Sequence, residues 1–197
     1  MRVIAGENRG HRLKAPPGIV TRPTTARVRH SIFSRLGSRL DLEGLAVLDL
    51  FAGSGSLGIE ALSRGAAHAT FVDSSPVSAA TIRRNLGELG LAARGTIVAA
   101  EVRRAMGELA ARGERFDLVF IDAPYRDDFT AEVLDRLVDL KLLTGQAWVV
   151  AEQYHRAPPP SGRFGGELTR VSVAKLGDHR IALYRRTNGP ESHGEPR

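Results

Sequence analysis

This chain of 197 residues has no cysteine. That absence excludes a disulfide scaffold, a thiolate zinc site and a cysteine nucleophile. The six histidines are scattered without the spacing of metal ligands, so we expect no metal site. Long hydrophobic runs are missing too, because the longest, at residues 45–50 and 118–121, are far too short to cross a bilayer. Arg2, Arg9 and Arg12 interrupt any apolar signal peptide, so we expect a cytoplasmic protein with no membrane partner.

Positive charge is concentrated in the first 40 residues. Residues 1–40 hold nine Lys or Arg and a single acid, Glu7, whereas residues 41–197 hold 19 basic and 21 acidic residues. A basic extension on a near-neutral domain favours a polyanionic partner such as nucleic acid. An extension that only improves solubility would show the same imbalance.

The basic region divides into two parts. Glycines and prolines in residues 1–23 break helices, which predicts an extended arm or short strands. Thr24 or Thr25 can then cap a helix that runs to about residue 40, with apolar residues on one face. Arg29 projects from that apolar face. Its side chain either extends past its neighbours to solvent or points into a site that holds an acid or an anion.

From residue 45 onward, short apolar runs alternate with helical stretches. The predicted strands are residues 46–50, 69–72, 96–99, 118–121 and 147–151, and the predicted helices are residues 57–63, 76–89, 103–112 and 130–137. This alternation indicates an α/β fold with a doubly wound parallel sheet. Residues 168–176 and 180–185 flank Gly177 and Asp178 and predict an antiparallel hairpin. The tail, residues 187–197, is predicted to be disordered.

An acid lies at or near the end of every predicted parallel strand. These acids are Asp49, Asp73, Glu101, Asp122 and Glu152. Ligands of doubly wound sheets bind outside the carboxyl ends of the strands, so the five acids should line one crevice. Any one of them could instead cap the helix that follows it.

A glycine-rich motif joins the first strand to the next helix. Gly53, Gly55 and Gly58 match G-x-G-x-x-G, which permits a tight turn and close approach of a ligand. Asp73, twenty residues past Gly53, is placed to accept hydrogen bonds from a ribose. Both features suit NAD as well as S-adenosylmethionine. Asp49 favours S-adenosylmethionine, because a carboxylate suits an ammonium and a sulfonium but not a pyrophosphate.

The residues after the fourth strand point to an amine on a planar base. Asp122 and the Ala123 carbonyl offer two hydrogen-bond acceptors, Pro124 stiffens the loop, and Tyr125 can stack on the ring. The alternative is an ordinary loop with a core tyrosine.

Over roughly residues 1–185, the chain resembles the 16S rRNA (guanine(966)-N(2))-methyltransferase family. The segments that carry the resemblance are residues 49–58, residues 122–125, Arg22-Pro23-Thr24 and Arg27-Val28-Arg29. The resemblance implies a Rossmann-like class I methyltransferase with a seven-stranded, mostly parallel sheet. It also implies methylation of a guanine N2 amine in 16S rRNA, either naked or in the assembled small subunit, by a monomer that uses S-adenosylmethionine.

Taken together, the motifs and the resemblance assign roles to regions and residues. Residues 1–40 would bind RNA, and residues 41–186 would form the methyltransferase domain. The expected catalytic residues are Asp122, Ala123, Pro124 and Tyr125. The expected cofactor-binding residues are Asp49, Phe51, Gly53, Ser54, Gly55, Asp73 and Glu101. The expected RNA-binding residues are Arg9, Arg12, Lys14, Arg22, Arg27 and Arg29.

Three positions depart from the family pattern. Ala123 replaces a proline, which keeps the carbonyl acceptor but loses some stiffness; His30 stands where the family has an acid, and Leu176 where it has a tyrosine. Two other functions stay open, because a fold by itself does not settle function. One is an amino-methyltransferase acting on DNA adenine or a protein amide, and the other is an RNA-binding protein that keeps the fold without catalysis.

Overall fold

The predicted alternation of strands and helices is present in the computed structural model, which describes residues 1–17, 25–123, 127–154, 159–160 and 162–187. The strands of this described part are β1 (Ala46–Leu50), β2 (His68–Asp73), β3 (Gly95–Ala99), β4 (Phe116–Asp122), β5 (Leu143–Tyr154), β6 (Arg163–Phe164), β7 (Leu168–Leu176) and β8 (His179–Arg186). Its α-helices are α1 (Ala26–Gly37), α2 (Ser56–Ser63), α3 (Pro76–Glu88), α4 (Val102–Ala111) and α5 (Asp127–Asp139).

These strands form one sheet in the order β3-β2-β1-β4-β5-β8-β7-β6. Strands β1 to β5 run parallel, and β8 lies antiparallel between β5 and β7. The chain winds outward from β1 to β3 and then returns to place β4 on the other side of β1. This reversal leaves a crevice at the carboxyl ends of β1 and β4, which is the usual ligand position in a doubly wound sheet.

The predicted fold class is confirmed, with one strand more than the seven expected. The additional strand is β6, an edge strand of two residues that is too short to show an alternating pattern. The predicted hairpin is also confirmed, since β7 and β8 pair with Leu176 opposite His179. The tail predicted to be disordered falls largely on residues 188–197, which lie outside the described residues.

Hydrophobic layers cover both faces of the sheet. Helices α1, α2 and α3 pack on one face, and α4 and α5 pack on the other. Thr25 caps α1 by accepting a hydrogen bond from the amide of Val28 at 3.3 Å. The apolar stripe of α1 is buried, and Phe33 meets Phe120 of β4 with ring centroids 5.6 Å apart. Within the described ranges, no helix is both long and apolar enough to span a membrane.

Residues 1–14 fold back on themselves as a hairpin, which we name the N-terminal hairpin. The amide of Val3 donates to the carbonyl of His11 at 3.0 Å, and the amide of Leu13 donates to the carbonyl of Met1 at 2.9 Å. Val3 and Leu13 are buried in the same hydrophobic layer as α1 and α2. The division of the chain at residue 40 therefore stays a prediction about function, because both parts share this core.

A buried glutamate fastens the N-terminal hairpin to the sheet. Glu60 of α2 accepts hydrogen bonds from the amides of Ile4 at 2.7 Å and Ala5 at 3.0 Å, and it pairs with Arg64 at 2.8 Å. A carboxylate that is only 1% exposed needs such partners in place of water. Residues 1–14 of the segment expected to be an extended arm or short strands thus form a docked hairpin, held by contacts that no local sequence pattern reveals.

Candidate active site

Four of the five predicted acids come together at one edge and on one face of the sheet. Leu50 of β1 is level with Val72 and Ile121, so the next residues, Asp73 and Asp122, lie one step beyond it. Glu152 of β5 is the register partner of Asp122. Asp49 lies two steps earlier and, by the alternation of side chains along a strand, on the same face. This is the face that α1, α2 and α3 cover.

The loop between β1 and α2 turns through left-handed backbone conformations. Phe51 has φ of 61°, Gly53 has φ of 55° and Gly55 has φ of 75°. A left-handed phenylalanine costs on the order of 1–3 kcal/mol, a strain typical of ligand-binding sites. The Gly53 amide donates to Asp73 at 2.8 Å, which fixes the loop against β2. A Cβ at Gly53 would meet only the Phe51 carbonyl, at 3.9 Å, so the backbone there is open to a ligand.

Asp49 is a buried carboxyl beneath this loop. It is 1% exposed and accepts a hydrogen bond from the amide of Gly58, the third residue of α2, at 2.9 Å. Burial raises the pKa of Asp49 to about 8; the Gly58 amide opposes the shift, and the nearby Asp122 and Asp73 add to it. A cation bound beside Asp49 would restore the charged carboxylate, so this position favours a positively charged ligand group.

Asp73 and Glu101 already bind backbone amides. Asp73 accepts from Gly53 with one oxygen and from Ser75 with the other, both at 2.8 Å, and each oxygen keeps capacity for another donor. Glu101 caps α4 by accepting from the amides of Arg103 at 2.9 Å and Arg104 at 3.3 Å. The capping alternative therefore describes Glu101 well, and a cofactor contact by its half-exposed side chain stays a prediction.

The predicted amine-binding loop is only partly described. Asp122 ends β4 at the edge of the crevice, and Ala123 follows it, both half-buried. Asp122 lies close enough to Asp49 to act on its pKa. Pro124 and Tyr125 lie outside the described residues.

A histidine that the sequence reasoning missed lies beside these acids. His179, at the start of β8, pairs with Glu152 through Nδ1 and Oε1 at 2.7 Å. The Glu152 side chain is 5% exposed and that of His179 is 17% exposed. Only the antiparallel pairing of β8 with β5 brings the two together. No local motif marks His179, since its partner lies 27 residues earlier in the chain.

The structure corrects the role expected for Arg29. This arginine was expected to bind RNA, but it is fully buried and donates to the carbonyl of Arg2 at 2.7 Å. Burial lowers its pKa, and the electrostatic attraction of Glu60 and Glu152 opposes that shift. A phosphate cannot reach a side chain enclosed in this way. Of the two alternatives left open by the sequence, burial beside acids is the one observed.

Four of the other basic residues predicted to bind RNA lie on the surface. Arg9, Arg12 and Lys14 are exposed on the N-terminal hairpin, and Arg27 is exposed on the first turn of α1. Arg22 lies outside the described residues. The hairpin and the start of α1 thus present a positively charged surface.

Comparison with known proteins identifies the family. The chain matches the family described as "Conserved hypothetical protein 95" over residues 1–185. It is 37% identical to the "Putative rRNA methyltransferase YlbH" of Bacillus subtilis, an alignment that covers 94% of this chain and 99% of that protein. It is 34% identical to the "Ribosomal RNA small subunit methyltransferase D" of Escherichia coli K12, covering 99% and 94% of the two chains. The chain belongs to this methyltransferase family.

A solved structure agrees with this assignment. The structure titled "Putative methyltransferase yhhF from Escherichia coli" superposes with a TM-score of 0.81 at 33% identity, covering 95% of this chain and 98% of that one. The resemblance drawn from the motifs and the predicted class I methyltransferase fold are therefore confirmed.

Proposed function

We propose that this protein transfers a methyl group from S-adenosylmethionine to the N2 amine of guanine 966 in 16S rRNA. The names of its full-length relatives support methylation of small-subunit rRNA. The observation that carries the proposal is the position of Asp122 at the carboxyl end of β4, one register step beyond Leu50 and beside the glycine loop. Asp122, the proposed acceptor for the amine, thus lies next to the glycine loop, the proposed binding site of the methyl donor.

The residues of the cradle fit S-adenosylmethionine. The open backbone at Gly53 admits a ligand, and the buried Asp49 favours a cationic group. Asp73 has capacity left for ribose hydroxyls. When bound, S-adenosylmethionine supplies a methyl group activated by its sulfonium. Pyrophosphate of NAD would meet the buried carboxyl of Asp49, which disfavours that cofactor.

Asp122 and Ala123 would prepare the amine for attack. The lone pair of guanine N2 is delocalised into the ring, so the free amine is a poor nucleophile. Two acceptors, the Asp122 carboxylate and the Ala123 carbonyl, favour a pyramidal nitrogen whose lone pair faces the methyl group. Orientation and fixed electrostatics of this kind account for the rate without a metal.

The exposed basic residues of the N-terminal hairpin and α1 would hold the rRNA by its phosphates. A guanine has to leave its stack to reach the crevice, and this costs least in a loop or a single-stranded segment.

Methyl transfer with labelled S-adenosylmethionine tests the proposal on three substrates: naked 16S rRNA, assembled small subunits and duplex DNA. We expect label in one or both ribosomal substrates, at the N2 of guanine 966 after nucleoside mapping, and none in DNA. Label in DNA alone would favour the adenine alternative, and no label in any substrate would favour the non-catalytic one. Comparing 16S rRNA from cells with and without this protein identifies the position in vivo.

A further inference from the structure

One buried side chain joins the N-terminal hairpin to the glycine loop. Asn85 of α3 is 1% exposed. Its Oδ1 accepts from the amide of Lys14 at 2.8 Å, and its Nδ2 donates to the carbonyl of Lys14 at 3.1 Å. The same Nδ2 donates to the carbonyl of Ser54 at 2.9 Å. The amide thus binds both segments at once.

The two segments have different proposed tasks. Lys14 ends the hairpin that presents Arg9 and Arg12 to solvent, and Ser54 lies between the two left-handed glycines of the cofactor loop. A weaker contact runs beside the first one, since the hydroxyl of Ser54 lies 3.6 Å from the sulfur of Met1. The hairpin therefore touches the cofactor loop both directly and through Asn85.

A second asparagine, Asn8, binds the N-terminal hairpin to the end of α3 without a hydrogen bond to the glycine loop. Asn8 also ties the hairpin to the end of α3, because its Nδ2 donates to the carbonyl of Leu89 at 3.2 Å. Its hydrogen bonds do not include the cofactor loop. Asn8 thus serves as the matched control for Asn85, with the same residue type and the same two elements but no contact to Ser54.

We propose that Asn85 is a positioning residue that couples RNA binding at the N-terminal hairpin to cofactor binding at the glycine loop. This inference rests on the proposed function. A buried amide satisfies its donors and acceptor only when both segments hold their places, because an unpaired polar group is costly in the interior. A ligand that orders one segment therefore prepares the other, and the coupling is positive. Linkage requires that each ligand improve the affinity of the other by the same factor.

Binding measurements with two probes test the coupling. The probes are S-adenosylhomocysteine and a 16S rRNA fragment containing guanine 966. In the wild-type protein we expect saturating RNA to lower the Kd of S-adenosylhomocysteine at least fivefold, and saturating S-adenosylhomocysteine to lower the Kd of the RNA by the same factor. In Asn85→Ala the factor should fall to about half of the wild-type value or lower, because only the weaker Met1–Ser54 contact still joins the two segments, whereas Asn8→Ala should keep the wild-type factor.

Hydrogen exchange in the wild-type protein gives a second measurement that needs no variant. S-adenosylhomocysteine alone should slow exchange of the Lys14 amide, which is bonded to Asn85. The Gly10 amide, bonded to Val3 within the hairpin at 2.9 Å, should change much less. If Asn85→Ala fails to fold, this measurement and the isosteric Asn85→Asp replace it; the aspartate keeps the acceptor for the Lys14 amide but can donate to neither the Ser54 carbonyl nor the Lys14 carbonyl.

The outcomes separate the inference from the proposed function. Independent binding of both probes to the wild-type protein, or a folded Asn85→Ala protein with the wild-type factor, overturns the coupling and leaves the function standing. If S-adenosylhomocysteine does not bind the wild-type protein at all, both proposals fail.

Discussion

Two acidic side chains at one edge of the sheet, Asp49 and Asp122, carry the proposed chemistry at the residue scale. Asp49 is buried and holds its proton to unusually high pH, and Asp122 stands half-buried at the crevice. A cation bound beside Asp49 would lower the pKa of this carboxyl and stabilise the charged carboxylate. In the proposed mechanism, the same sheet edge offers one carboxyl for the cationic methyl donor and one for the neutral amine.

Removing Asp122 should separate binding from turnover. Asp122→Ala deletes an acceptor for the amine and should lower turnover about 100-fold or more, in line with the loss of one preorganised polar contact. The Kd of S-adenosylhomocysteine should change little, because Asp49, Gly53 and Asp73, which are proposed to hold the cofactor, are unchanged in the variant. Single-turnover kinetics and calorimetry measure the two effects. Asp139→Ala, an exposed acid on α5, is the control and should change neither. Near-normal turnover in Asp122→Ala would contradict the amine-acceptor role.

Stability should depend on pH through Asp49. Its pKa is about 8 in the folded chain against an ordinary value of 3.8, so the folded state keeps a proton that the unfolded state releases. The free energy of unfolding should therefore fall as pH rises from about 4 to 8, by at most about 1.4 kcal/mol per pH unit. Urea unfolding at several pH values measures this slope.

Asp49→Asn provides the control for that titration, because it cannot ionise. Its slope between pH 5 and 8 should be shallower than that of the wild-type protein. Affinity for S-adenosylhomocysteine, which carries an ammonium, should rise with pH in the wild-type protein and stay flatter in the variant. Identical slopes for the two proteins would show that Asp49 ionises normally.

At the scale of elements, the glycine motif serves packing as well as ligand access. A Cβ at Gly58 would lie 2.4 Å from a ring carbon of Phe71, so α2 approaches β2 as closely as it does only because this residue has no side chain. Gly53, by contrast, faces open space. Gly53, the first glycine of the motif, thus leaves room for a ligand, and Gly58, the last one, allows α2 to pack closely against the sheet.

Two glycine substitutions should therefore have opposite effects. Gly58→Ala should lower the free energy of unfolding by about 1–3 kcal/mol through overpacking against Phe71. Gly87→Ala, in α3 with nothing within 4 Å, should raise it by up to about 1 kcal/mol through helix propensity. Thermal and urea unfolding measure both. A neutral Gly58→Ala would mean that Phe71 can move aside.

At the scale of the whole molecule, the N-terminal hairpin contributes both to the charged surface and to the hydrophobic core. It exposes Arg9, Arg12 and Lys14, and it buries Val3 and Leu13. Charge and stability in this segment can therefore be changed separately.

Replacing Arg9, Arg12 and Lys14 together by alanine should weaken RNA binding without unfolding the protein. Each phosphate contact contributes a log–log salt slope of about −0.7 to −0.9, so the slope should flatten by at most three such contributions. Stability should change little, since the side chains are exposed and the backbone of Lys14 keeps its bonds to Asn85. RNA titrations between 50 and 200 mM salt, about the range in which the effect is large, measure the slope. An unchanged slope would place the RNA elsewhere.

Deleting residues 1–14 should instead destabilise the whole chain. The deletion removes two buried apolar side chains and takes two amide donors from Glu60, which should cost about 2–5 kcal/mol or more. Cofactor binding should weaken with it, because Ser54 loses the support of Met1 and Asn85 loses Lys14. A deletion variant as stable as the full chain would contradict the docked hairpin.

The sequence by itself determined the features that depend on neighbours along the chain. The period of apolar residues located the strands and helices, most of them to within two residues of their observed bounds, although β5 begins four residues earlier and ends three residues later than predicted. The glycine spacing set the loop, and one acid per strand–helix unit put Asp49, Asp73 and Asp122 on one edge. These patterns lie within short segments or recur once in each strand–helix unit. They can therefore be recognised without knowing how the segments pack against each other.

Only the tertiary structure determined the burial and the hydrogen bonds of residues whose partners are distant in the chain. Arg29, Glu60, Asn85 and the His179–Glu152 pair owe their hydrogen bonds to partners that lie 27 to 71 positions away in the chain. The local sequence around a polar side chain does not show whether that side chain stays in solvent or finds hydrogen-bond partners in the interior. The packing of the N-terminal hairpin and of β8 supplied the partners that made burial stable, and the sequence alone does not state that packing.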